Sequence, residues 1–205
     1  MKVRHFSMLR DFHLADWLTL ANAMCGMGAV FLSMRALQDD NPRHLLWGMS
    51  LIPLAFVFDA LDGRVARWRQ SASTLGRELD SLADVISFGV APAALAYACG
   101  MQGGWDWAVL SYFVGCGVSR LARFNVTAEQ LSEGNDKVTH FEGTPIPTSL
   151  ALVLVMVVAV DQGRVGDALW FGSYRFLFWE FHPLVLMFAL SGSLMISKTL
   201  RIPKW

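Results

Sequence analysis

The sequence predicts an all-α integral membrane protein, a bundle of six transmembrane helices behind a short amphipathic helix at the membrane interface. Three observations predict it. Hydrophobic residues make up 54% of the chain and charged residues 17%, where soluble domains average about 25% charged. Six segments are apolar over about the 20 residues that a membrane-crossing helix needs. Thirteen of the 17 Lys and Arg fall on one set of connections between those segments, the bias that marks a cytoplasmic side.

The elements follow in order. Residues 1–16 hold the interfacial helix: His5, Phe6, Met8, Leu9, Phe12 and Leu14 give it one apolar face. The first span covers about 17–37. Lys2, Arg4 and Arg10 precede it, as in a cleaved leader, but Thr19 and Asn22 lie inside it and no small-x-small cleavage site follows. The second and third spans, about 45–61 and 82–100, carry most of the acids on the ends that face each other. The fourth covers 105–122. The fifth, 146–163, is almost wholly apolar from Ile146 to Val160, and the sixth covers 176–197. With six spans, both termini and the second and fourth connections share the basic side, so both termini are expected in the cytoplasm, at the cell (inner) membrane. No repeat or separate soluble domain interrupts the single domain 1–205.

Composition also excludes. Cys25, Cys99 and Cys116 lie in apolar stretches with no CxxC or Cys/His spacing, which argues against a disulfide framework and a zinc site. The formal net charge is +0, so nothing points to nucleic acid. Eight Trp and 14 Phe suit aromatic belts at membrane interfaces.

The chemistry is concentrated between Phe58 and Pro92. Acids at the end of an apolar helix are costly unless paired, solvated or bound to a cation, and four converge here: Asp59, Asp62, Asp80 and Asp84. At ~100° per residue, Asp59, Asp62, Gly63, Ala66 and Arg67 share an arc of roughly 140°, and Gly76, Asp80, Asp84 and Ser87 one of roughly 80°. Glycine between the acids leaves room for a phosphorylated ligand. Four carboxylates without Cys or His suit Mg²⁺ or Mn²⁺, two ions being expected in such a cluster, and one carboxylate left free can take a proton. The bland alternative is a solvated charge cluster paired with Arg64, Arg67 and Arg77. A divalent-cation transporter is a rival reading, but its acids belong near the midplane, and here they sit at one end among arginines.

The spacing Asp59-x2-Asp62-Gly63-x2-Ala66-Arg67-x8-Gly76-x3-Asp80-x3-Asp84 resembles the signature of the CDP-alcohol phosphotransferase family at every position. The resemblance implies a six-helix membrane bundle, usually a homodimer, with its site open to the cytoplasm. It implies metal binding by Asp59, Asp62, Asp80 and Asp84, with Asp84 also the general base. Gly63, Ala66, Arg67 and Gly76 are implied to surround the CDP moiety, and Thr19 and Asn22 are expected to line the same side or to bond helix to helix.

Three further runs narrow the acceptor. Ser87–Pro92 (SFGVAP), Ser119–Asn125 (SRLARFN) and Phe141–Pro147 (FEGTPIP) are similar to runs of the serine-accepting, membrane-type branch of that family, with Thr144 in the usual leucine position. The resemblance thus implies CDP-diacylglycerol and L-serine as substrates. Arg120 and Arg123, i and i+3 at a basic helix end, can bind carboxylate and phosphate in bidentate fashion. With Asn125 and Ser87 they are the expected acceptor residues. Glycerol 3-phosphate, inositol phosphate or choline as acceptor stays open.

Overall fold

The computed structural model describes residues 12–39, 41–68, 74–133, 140–197 and 201–203. The expected interfacial helix therefore lies mostly outside the described residues, and Leu14–Asp16 already belong to the first long helix. That helix, α1 (Leu14–Asp39), runs against α2 (Pro42–Trp68), which contains Pro53. The chain continues through α3 (Thr74–Asp84), a π-helical stretch (Val85–Val90) and α4 (Ala91–Cys99) as one unbroken rod. Then come α5 (Gly104–Glu133), a 3₁₀ turn leading into α6 (Ser149–Asp161), and a 3₁₀ turn leading into α7 (Leu186–Ile196).

The protein is thus a mostly helical membrane protein. Among the described residues three rods are long and apolar enough to cross a bilayer: Leu14–Asp39, Pro42–Trp68 and Thr74–Cys99. Ile146–Asp161 and Pro183–Ile196 are apolar but shorter, and α5 is long but broken in character by Asp106 and Arg120.

The last segment departs from expectation. Helix begins only at Pro183, not at 176, because Tyr174–Phe176 (β2) and Trp179–Phe181 (β3) form an antiparallel hairpin with Arg175 opposite Glu180. The stretch YRFLFWEF is apolar enough to read as a span, yet alternation and a two-residue turn make it strand. A second short ladder pairs His140–Glu142 (β1) with Arg201–Pro203 (β4).

Small residues set the helix spacing, as expected where lipid offers no hydrophobic drive between helices. A Cβ on Gly48 of α2 would stand 3.3 Å from the Ala29 carbonyl of α1, and one on Gly192 of α7 would stand 3.2 Å from Phe113 Cα of α5. Phe88, Phe113, Phe188, Met49, Ile52 and Leu95 are fully buried between the rods. The π-helical stretch has a local cause. Pro92 has no N–H for the carbonyl four residues back, and the Ala91 N–H instead reaches the carbonyl of Ile86, five residues back.

Candidate active site

The C-terminal end of α2 and the N-terminal rod α3 bring the aspartates together. Carboxylate oxygens of Asp59, Asp62 and Asp80 all lie within 4.8 Å of one another. Asp84, one turn after Asp80, stands outside that trio. Asp62 is 5% exposed and Asp84 7% exposed. Among the described residues none of the four is ion-paired with an arginine, so the bland reading of a neutralised surface cluster does not describe this arrangement. Like charges this close repel strongly in a half-buried setting, and Asp80 Oδ1 is buried with no hydrogen-bond partner among the described residues. The donor set is all oxygen, which fits a hard divalent cation.

Helix α1 supplies the supports. Thr19 Oγ1 donates to Asp62 Oδ2 at 2.6 Å, and Asn22 Nδ2 donates to Asp84 Oδ1 at 3.3 Å. Both side chains are buried. They face the acid cup, and each orients one carboxylate. Ser87, expected toward the acceptor, is fully buried and donates to the backbone carbonyl of Asn22 at 2.8 Å. Its hydroxyl ties the π-helical stretch to α1 directly beneath the Asn22–Asp84 bond. Gly26 permits that approach, since a Cβ there would meet Ser87 Cα at 2.7 Å.

The basic groups divide. Arg67 is exposed and lies over Gly63, its Nη1 3.7 Å from where a Cβ would be. Arg120 of α5 is half-buried, within electrostatic reach of Asp84, and its Nε is buried without a hydrogen-bond partner among the described residues. Arg123 is exposed. Asn125 bonds Ser81 Oγ at 3.0 Å and Glu78 Oε1 at 3.3 Å, clamping α5 to α3. Ala66 and Gly76 are half-buried on the two acid-bearing faces.

One acid escaped the sequence reading. Asp16 is 6% exposed, accepts the His13 N–H at 2.7 Å as it opens α1, and lies within electrostatic reach of Asp62. The available signal was its i, i+3 spacing to Thr19 at the start of the first rod.

The chain is similar to known proteins over most of its length. A profile described as CDP-alcohol phosphatidyltransferase matches residues 12–191. The chain is 48% identical over 203 residues to a CDP-diacylglycerol–serine O-phosphatidyltransferase of Saccharomyces cerevisiae, covering 98% of this chain and 74% of that one. It is 36% identical to the protein of the same name in Helicobacter pylori, covering 86% and 69%. For that of Methanocaldococcus jannaschii the identity is 37%, covering 73% and 62%.

Proposed function

As this chain belongs to the CDP-alcohol phosphatidyltransferase family, we propose that it transfers the phosphatidyl group of CDP-diacylglycerol to the hydroxyl of L-serine, releasing CMP. The observation that carries the reading is the trio Asp59, Asp62 and Asp80 beside a separately held Asp84. The names of its relatives support serine as the acceptor. The same reading takes the protein as a six-span homodimer of the cell membrane, with both termini and the site on the cytoplasmic side.

Asp59, Asp62 and Asp80, with Asp84 at the edge, are the residues to hold one or two Mg²⁺ or Mn²⁺ ions. Such ions, when bound, supply positive charge to a pyrophosphate and to the oxygen that leaves it. The chain's own groups do the rest. Gly63, Ala66 and Gly76 leave space for the CDP moiety, and the Arg67 guanidinium over Gly63 offers charge-assisted hydrogen bonds to its phosphates. Asp84, kept in orientation by Asn22, takes the proton from the serine hydroxyl. The serine oxygen then bonds to the lipid-linked phosphorus as the bond to the CMP oxygen breaks. Arg120, close to Asp84, binds the serine carboxylate in bidentate fashion, with Arg123 at the outer edge. Positioning and electrostatics thus provide most of the catalysis.

The test is CMP release by the purified protein in detergent with Mn²⁺ or Mg²⁺ and CDP-diacylglycerol, each alcohol supplied separately. Release stimulated by serine alone is expected. Release with glycerol 3-phosphate, inositol phosphate or choline instead would keep the family chemistry and overturn the acceptor. No release with any of them would overturn the proposal, and metal-ion flux in proteoliposomes would then test transport.

A further inference from the structure

We propose that the β2–β3 hairpin is a membrane anchor whose tip, Phe176–Leu177–Phe178, lies in the headgroup–acyl boundary of the leaflet opposite the aspartates. The occupant of this exposed apolar surface is thus lipid, and the inference is independent of which alcohol the enzyme uses.

The first observation is the surface itself. Leu177 is 68% exposed and Phe178 86% exposed, and Tyr174, Phe176 and Trp179 are exposed beside them. A two-residue hairpin turn in water favours Asn, Asp or Gly, which tolerate positive φ. Here the turn is Leu177–Phe178, and Leu177 is held at φ 56, a conformation that bulky residues rarely adopt. The sequence places apolar side chains at the tip against the preference of the backbone.

The second observation is that the hairpin is rigidly mounted. Trp105 Nε1 donates to the Phe176 carbonyl at 3.1 Å, and the Trp105 and Trp179 rings meet edge to face at 5.4 Å. Asp106, fully buried, accepts the His182 backbone N–H at 3.0 Å, contacts His182 Nδ1 at 2.6 Å and accepts the Gly103 N–H at 2.8 Å. The tip is presented by a fixed base.

Position then selects the occupant. The hairpin is fastened to the first turn of α5, whereas Arg120 lies fifteen positions on, roughly 22 Å along the helix. It joins the apolar segments Ile146–Asp161 and Pro183–Ile196 on the side away from the aspartates. Those segments reach roughly 24 and 21 Å, short of the ~30 Å hydrocarbon layer, so apolar surface at their far ends is continuous with the lipid-facing wall. The open strand edges cannot enter the hydrocarbon, where unpaired backbone groups go unsatisfied. The interface, where Trp and Tyr concentrate, accepts both the rings and the edges.

The test uses full-length protein with Cys25, Cys99 and Cys116 changed to Ala, checked for CMP release, and a single bimane label at Phe178→Cys or Leu177→Cys. An Arg164→Cys label, in the exposed connection after α6, serves as the aqueous reference. In phosphatidylcholine–phosphatidylglycerol vesicles, shallow-depth spin-labelled lipid should quench the hairpin labels at least ~3-fold more than deep-labelled lipid. Iodide should quench them at least ~3-fold less than the Arg164→Cys label. Iodide quenching equal to the reference, with no lipid quenching, would overturn the proposal. So would shielding from both quenchers that disappears as the protein-to-lipid ratio is lowered, since that would assign the tip to a second copy of the chain.

Discussion

Asn22 and Asp84 lie 62 positions apart in the chain, and the amide of one donates to the carboxylate of the other at 3.3 Å inside the helical bundle. The bond fixes which way the Asp84 oxygens point. Its loss in Asn22→Ala should lower kcat by about 10–100-fold and leave KM for CDP-diacylglycerol within about twofold. Steady-state CMP release at varied lipid substrate separates this from a nucleotide contact, which would raise KM and leave kcat in place.

Thr19 stands to Asp62 as Asn22 does to Asp84, but on the metal-facing trio. Thr19→Val keeps the shape and removes the donor, so the Mn²⁺ concentration for half-maximal activity should rise about tenfold. Thr19→Ser should restore it. An unchanged Mn²⁺ requirement in Thr19→Val would remove the hydroxyl from this role.

The aspartates should separate by function. Asp84→Asn removes a proton acceptor and should cost roughly 10²–10⁴ in turnover, with Mn²⁺ still bound by the protein. Asp80→Asn removes a buried oxygen donor from the trio and should abolish both Mn²⁺ binding and turnover. Electron paramagnetic resonance of Mn²⁺ beside CMP release distinguishes the two, and retained activity in Asp84→Asn would end its assignment as base.

Chelation should act as the strongest of these substitutions do. EDTA is expected to abolish CMP release, and excess Mg²⁺ or Mn²⁺ to restore it, with the protein still folded by circular dichroism throughout. Turnover that persists in EDTA would mean that the three clustered carboxylates serve another purpose.

Gly26 gives a purely structural test. Its missing Cβ would stand 2.7 Å from Ser87 Cα and 2.9 Å from Ser87 N, and backbone cannot yield as a flexible side chain can. Gly26→Ala should destabilise the protein by about 1–3 kcal/mol, read as a lower Tm in detergent. Gly115→Ala, where nothing among the described residues lies within 4 Å, should leave Tm nearly unchanged.

Much of the site was legible because its chemistry is written at helical spacing. Asp59 and Asp62, or Asp80 and Asp84, are three or four residues apart, so one turn of helix puts each pair on a face. The partners of those acids were less legible. Thr19 and Asn22 face the right side, but whether each meets a carboxylate or a ligand depends on how α1 packs against rods 43 and 62 positions away. Ser87 illustrates the difficulty. It shares an arc with Asp80 and Asp84 on an ideal helix and does lie beside Asp84 against α1, yet its hydroxyl is bonded to the Asn22 carbonyl.

The fold shows the same limit. The long rods announce themselves by length and hydropathy, since each must bury or expose to lipid a whole apolar surface. Tyr174–Phe181 does not, because a mean over apolar residues is the same for an interfacial strand pair as for the end of a span. Only the alternation around Leu177–Phe178, with Arg175 opposite Glu180, carried the distinction.

The wide turn at Val85–Val90 acts as a phase shifter. In an uninterrupted α-helix at ~100° per residue, Asp80, Asp84, Ala91 and Leu95 would recur on a single stripe. One face of the rod would then have to serve carboxylates and apolar core alike. The π-helical stretch winds less per residue and turns the second half relative to the first. A single continuous helix can thereby show acids to the site with one half and apolar side chains to the core with the other.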